Sequence, residues 1–515
     1  MIDGDPAIKT PQLAHQRQEY LESREKTARA IFWEMGLGKS KLIIDVASHL
    51  HKTNKIDALV VIAPNATYPN WIRIECPKHM AADYVHLIYP KTDSQRDTLH
   101  RMIFTDPTEF QGKLRVVTIG FDALAMTDRA YDFLERFVRI HRTMLVVDES
   151  TAIKNRKTKT SIRVKKLGRL AHRRWILTGT PAANSPFDLH SQIEFLNPEF
   201  WGWHGLKSYA AFKSEFGVWK TRRMGARMFP ELEEYRGLDK LHDIISEIAS
   251  RLTKEDSGVE LPPKMYELKT FDMVPAQKKL YEQVRKRLWA ELEGGLEVDA
   301  RLAVTRLIRL HQIASGFVTA DDTVDVPAGV EEMPDLRLLL KNRVLADIIP
   351  PEENPRLDLL RELISQTTGK VIIWARFTRE IDQICDMLGE DALRYDGQVN
   401  DRSRTWALER FCDPTDTKHR FLVANVKSIS HGVTLIVAKT MIYYSNDYSP
   451  EKRLQSEDRF HRIGQDQPVL IVDMAAYGTV DIKLLEGLLE KFETSALVTG
   501  DKYREWISLP MEEAA

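Results

Sequence analysis

A chain of 515 residues, 43% hydrophobic and 29% charged, has the composition of an ordinary globular protein and the length for two or three cores. Its 74 basic and 75 acidic residues leave a net charge of −1, so a polyanionic partner would be held by local patches rather than by overall charge. Three scattered cysteines without a CxxC pair, no signal-peptide pattern at residues 1–5 and no apolar run near ~20 residues argue against a disulfide scaffold, a zinc module and a membrane span, and lead us to expect the cytoplasm.

In chain order, short apolar runs at 28–33, 58–63, 114–119, 144–147 and 175–177 alternate with helical stretches, which predicts a parallel sheet with helices on both faces. Polar segments follow their carboxyl ends, where open α/β sheets bind ligands. Gly36-Leu37-Gly38-Lys39-Ser40 follows the first run and precedes an apolar helix at 42–50. In a phosphate loop the backbone N–H groups cradle phosphates, the lysine (Lys39) reaches the β/γ oxygens and the hydroxyl (Ser40) binds Mg²⁺. The usual pattern wants Gly six residues before the lysine, where Trp33 stands. Taken alone, the segment reads equally as a glycine turn opening a helix, and its place between strand and helix favours the phosphate loop. Leu145-Val146-Val147-Asp148-Glu149 ends an apolar strand in two acids, placing Asp148 near Mg²⁺ and Glu149 to polarise water. Such acids alone more often cap a strand–helix turn.

Residues 154–174 carry ten cations, beginning with Lys154, Arg156 and Lys157, and no acid. They form either a phosphate-backbone surface beside the nucleotide or a solvated helix face. The stretch 199–354 reads as helical, with charged helices at 276–292 and 300–311 and an acidic loop at 320–334. Within it, after Leu261-Pro262-Pro263-Lys264, a strand at 265–271 is expected to rejoin the first sheet. A second alternation, at 371–375, 393–395, 421–424, 441–444 and 469–472, predicts another α/β domain. The expected division is 1–198, 199–354, 355–500 and a tail at 501–515. Arg459 and Arg462, three apart on a helix expected after Pro450, would share one face, and such cations opposite a γ-phosphate stabilise transition-state charge. A lone R-x-x-R is usually only a basic helix face.

Four segments taken together, 34–40, Leu177-Thr178-Gly179-Thr180-Pro181, Phe195-Leu196-Asn197-Pro198 and 455–465, resemble the Swi/Snf family of superfamily II helicase-like ATPases. The last, with Asp458-Arg459-Phe460-His461-Arg462-Ile463-Gly464-Gln465, is the most specific, and the likeness runs over residues 13–480. It implies an α/β fold of two RecA-like parallel-sheet lobes with helical protrusions between them. It also implies ATP and Mg²⁺ as ligands and movement along the phosphate backbone of double-stranded DNA. By the same resemblance Gln16 reads the adenine edge, and Gly36, Gly38, Lys39, Ser40 and Gly432 belong to the nucleotide site. Thr178, Gly179 and Thr180 would couple hydrolysis to lobe motion, and Gln455, Arg459 and Arg462 would be the second lobe's contribution. Thr67, Thr118, Arg376 and Thr378 match backbone-contact loops. The chain departs from the family at Trp33, usually Asp, and at Ile429-Ser430, usually Gly-Gly. Asp148-Glu149-Ser150 with Lys154-Asn155 looks like the annealing and fork-remodelling branch, and the whole like a compact bacterial or phage member. A strand-separating helicase and a non-hydrolysing nucleic-acid-binding scaffold are the competing readings.

Overall fold

The computed structural model describes residues 5–65, 67–89, 103, 110–224, 227–293, 300–318, 346–426, 428 and 433–501. Two all-parallel sheets dominate it. In the seven-stranded first sheet the order is Tyr84–Ile88, Leu114–Gly120, Ala58–Ala63, Thr143–Asp148, Arg173–Leu177, Ala28–Trp33, Ala249–Leu252. The six-stranded second sheet runs Lys264–Phe271, Val469–Ala476, Thr440–Tyr443, Val371–Trp374, Phe421–Ala424, Ala392–Tyr395. Central strands such as Ala58–Ala63 and Val371–Trp374 are buried along their whole length, as expected where helices cover both faces.

The order of the first sheet decides where chemistry can occur. Arg173–Leu177 lies between Ala28–Trp33 and Thr143–Asp148, with Leu177 level with both Ile31 and Asp148. The loops leaving these three strands therefore emerge side by side at the carboxyl edge, carrying residues 34–40, 178–180 and 148–149.

Two expectations for the middle of the chain are corrected. Lys264–Phe271 does not rejoin the first sheet but pairs with Val469–Ala476 of the second over eight residues. Lys264 and Tyr266 both bond the buried Glu457 of the second lobe, at 2.8 Å each, which fixes the strand there. The first sheet is closed instead by Ala249–Leu252, four residues of mixed polarity that give little strand signal. The stretch read as helical also contains an antiparallel hairpin, Gly217–Met224 with Arg227–Tyr235, in addition to the helices Pro275–Glu293 and Ala300–Ala314. The acidic loop expected at 320–334 lies outside the described residues.

A last helix, Val480–Thr499, leaves the second sheet and ends against the first lobe. Val498 joins the first lobe's core, the Val498 carbonyl lies 3.2 Å from His242 Nδ1, and Asp501 forms an ion pair with Arg251. Among the described residues no helix is long and apolar enough to cross a membrane.

Candidate active site at the lobe interface

The loop after Ala28–Trp33 turns through two left-handed glycines, Gly36 at φ +87° and Gly38 at φ +80°. The φ of Gly38 favours glycine, and a Cβ there would also displace the Gln16 amide. Helix Lys39–Lys52 starts directly after it and points its N-terminal N–H groups at the loop. Lys39 is nearly buried, its Nζ donating to the carbonyls of Trp33 at 2.8 Å and Glu34 at 3.2 Å. Burial lowers its pKa, while the carboxylates of Glu149, Asp148 and Asp458 act against that. Trp33 is itself buried and donates from Nε1 to Ser250 Oγ at 2.9 Å. Gln16 Nε2 donates to the Leu37 carbonyl at 3.1 Å and its Oε1 accepts from Leu13 N at 3.0 Å, so its amide braces the loop.

Asp148 and Glu149 stand across from Lys39. Asp148 accepts from Trp71 Nε1 at 3.0 Å and from the Glu149 N–H at 3.1 Å, and burial raises its pKa. Glu149 adopts φ +52°, a conformation a non-glycine residue rarely holds without a local reason. Its Oε2 accepts from Thr178 Oγ1 at 3.3 Å, and the same hydroxyl accepts the Thr180 N–H at 3.1 Å. Burial, reinforced by Asp148, pushes Glu149 up to about 8. The hydroxyl of Ser40, half-buried at the helix start, and the Asp148 carboxylate are hard oxygen donors of the kind Mg²⁺ takes, so the set suits that ion.

The second lobe closes over this edge. Helix Pro450–Phe460 carries Gln455 and Arg459, both buried. Burial pushes Arg459 down to about 10, and the first lobe's Glu149 is among the groups that act against this. Asp458 in turn acts on Lys39, and Arg462 on the half-buried Glu75 of the first lobe. Arg462 does not share the helix with Arg459, contrary to the expectation from their spacing. The helix stops at Phe460, and Arg462 lies in the following turn, which closes from Gln465 N to its carbonyl and passes through Gly464 at φ +102°. Gln465 anchors that turn by donating to the carbonyls of Phe460, Ile436 and Ala438. Arg462 itself donates to Thr434 Oγ1 at 3.0 Å. Gly432 lies outside the described residues.

Direct contacts tie the lobes. Thr151 Oγ1 donates to Glu451 Oε1 at 2.7 Å, and Gln455 Nε2 reaches the same oxygen at 3.4 Å. Two residues that sequence reasoning missed brace this junction. Lys254 offers its N–H to Glu34 Oε2 at 2.8 Å and its Nζ to Asp458 and the His461 carbonyl. Arg251, paired with Asp501, donates to the carbonyls of Phe32 at 2.6 Å and Gly179 at 3.1 Å, joining the strand before the loop to the Thr178–Thr180 turn. A cation in a short edge strand or a linker carries no local signature of such a partner.

The residues expected on a nucleic-acid surface divide. Thr118 is fully buried within Leu114–Gly120 and cannot touch a polymer, a correction that follows from the strand being covered on both faces. Thr67 is half-buried and bonds the Pro64 carbonyl, and Thr378 is exposed at the start of its helix. Arg376 stacks over Tyr448 at 4.5 Å, with Nη1 3.3 Å from His311 Nδ1. Lys154 reaches Glu451 at 3.7 Å and Asp188 at 3.8 Å. Arg156, stacked at 5.1 Å over Tyr209, and Lys157 are exposed, and helix Lys159–Leu170 adds Lys159, Lys166 and Arg169 on one exposed face. Lys159 and Arg163 both pair with Asp128, and Lys165 turns aside to Glu194.

A family model described as the SNF2-related domain matches residues 19–315, more than half of the chain, and one described as the helicase conserved C-terminal domain matches 355–464. Among curated relatives, "Lymphoid-specific helicase" of Homo sapiens is 25% identical, covering 90% of this chain and 59% of its own length. "ISWI chromatin-remodeling complex ATPase CHR17" of Arabidopsis thaliana is 25% identical over 90% of this chain and 40% of itself. The chain thus spans less than two thirds of these relatives. A solved structure titled "Sulfolobus solfataricus SWI2/SNF2 ATPase core in complex with dsDNA" is 22% identical, covers 97% of this chain and 95% of its own, and gives a TM-score of 0.40.

Proposed function

The chain belongs to the SNF2-related domain family, and on that premise we propose that it is an ATP hydrolase that moves along double-stranded DNA. The reading rests above all on Lys39, Asp148 and Glu149 of one lobe facing Asp458 and Arg459 of the other. Lys39 exchanges its bonds to the Trp33 and Glu34 carbonyls for phosphate oxygens, with Gly36 and Gly38 leaving the backbone open to them. Ser40 and Asp148 would hold Mg²⁺, which neutralises phosphate charge when bound. Glu149, once ionised, orients the attacking water, and Arg459 with Arg462 brings positive charge to the γ-phosphate from the opposite lobe. The Thr178 hydroxyl, shared between Glu149 and Thr180, passes the state of the site to a turn that Arg251 also holds.

Gripping of the phosphate backbone falls to the exposed cations Arg156, Lys157, Lys159, Lys166 and Arg169, with Thr67, Thr378 and Arg376 as further contacts. Grip of this kind is independent of sequence and weakens steeply with salt. Steady-state ATP turnover with duplex DNA, single strands and RNA, each at several salt concentrations, tests the proposal. Stimulation by duplex that declines with salt is expected, and stimulation by RNA alone would contradict it.

A further inference from the structure

We propose that Trp71 is a positioning residue, whose indole N–H sets the orientation in which the Asp148 carboxylate meets Mg²⁺. The inference rests on the reading of Asp148 given above. Trp71 begins a π-helical turn, Trp71–Glu75, in which the Cys76 N–H reaches back to the Trp71 carbonyl. Such wide turns are rare and are concentrated at functional sites. This one follows strand Ala58–Ala63, whose neighbour in the sheet is Thr143–Asp148, with Ile62 level with Val147. The helix therefore begins beside the end of the strand that carries Asp148.

The ring is 2% exposed and belongs to the same core as Leu42, Val61 and Val146, so it has little freedom to turn. Its Nε1 donates to Asp148 Oδ2 at 3.0 Å while the Glu149 N–H donates to Oδ1 at 3.1 Å. One donor on each oxygen fixes the plane of the carboxylate and leaves each oxygen a further lone pair for a cation or its water. Indole is a donor only, so Trp71 can orient the carboxylate without competing for the metal. Burial alone does not account for the bond. Among the described residues, two other buried indoles, Trp175 and Trp374, find no hydrogen-bond partner at Nε1.

The test uses the full chain and Trp71→Phe, which keeps an aromatic ring and loses the N–H. Mn²⁺ with ADP serves as the probe, titrated into protein held in excess over the nucleotide and followed by electron paramagnetic resonance, beside the Mg²⁺ dependence of ATP turnover. Loss of an outer-shell hydrogen bond predicts roughly 10–100-fold weaker metal binding. Turnover at saturating Mg²⁺ is expected to return towards the wild-type rate. Benzothienylalanine at position 71, which preserves the bicyclic shape without the N–H, repeats the measurement should phenylalanine disturb the core. Mn²⁺ affinity within twofold of wild type in a folded variant overturns the inference and leaves the proposed hydrolase intact. Failure of the wild type itself to bind Mn²⁺ with ADP overturns the assignment of Asp148, and the inference with it.

Discussion

Glu149 gives the sharpest kinetic prediction. Its carboxyl lies between Asp148, Lys39 and the Thr178 hydroxyl, and burial raises it from 4.5 to about 8. If its ionised form polarises water, kcat/KM follows the ionised fraction in the free enzyme. That fraction is about one in a hundred at pH 6, about one in ten at pH 7 and about nine in ten at pH 9. Activity with ATP should therefore rise about ninefold from pH 6 to 7 and about tenfold more by pH 9. Glu149→Gln should lose most turnover, and what remains should lack this limb. Stability moves the other way. A carboxyl raised on folding keeps its proton in the native state between about 4.5 and 8, while the unfolded chain has released it. Its contribution thus falls as pH rises through that window and is level above it, so Glu149→Gln should gain thermal midpoint relative to wild type at pH 8 more than at pH 5. Initial rates over pH 6–9 and melting curves at both pH values supply the data. A flat wild-type profile, or the same limb in Glu149→Gln, would refute the assignment.

Three further outcomes follow from the geometry. Gly38→Ala must hold φ +80° and push Gln16 from the Leu37 carbonyl, which should cost about 1–2 kcal/mol and weaken ATP binding roughly tenfold by titration calorimetry. Arg356 is fully buried, bonds the Tyr444 carbonyl and Asp481, and lies over the Phe271 ring at 5.0 Å. Its replacement by alanine strands a buried carboxylate and should cost about 3–5 kcal/mol in denaturant unfolding followed on the second lobe. Lys254→Ala frees Asp458 and the His461 carbonyl from the linker and should raise KM for ATP about tenfold with a larger radius of gyration in solution scattering.

Much of the architecture was legible because buried parallel strands are runs of β-branched and aliphatic residues. Ala28–Trp33, Ala58–Ala63 and Phe421–Ala424 have the limits their apolar runs predict. The same uniformity hid Thr118, since a strand covered on both faces gives no alternation to show that its hydroxyl points inward. Lys264–Phe271 was legible as a strand but not as a member of the second sheet. Its partners are set by Glu457, nearly two hundred residues away, and no local pattern records that. Arg462 was misplaced on the helix because three-residue spacing says nothing about where a helix ends. Gly464 and Gln465, which shape the turn, were visible only as part of a motif. At the site, the loop glycines and the paired acids carry their chemistry in their type and spacing. Trp71, Arg251 and Lys254 act through contacts to distant backbone or carboxylate, which only the fold brings together.

The central claim is that the two lobes share one hydrolytic pocket. Turnover and nucleotide affinity measured together on Arg459→Ala test it most directly. The account predicts a fall of roughly 10³–10⁵ in kcat with ATP still bound by Lys39 and its loop. Hydrolysis at the wild-type rate in that variant would contradict it.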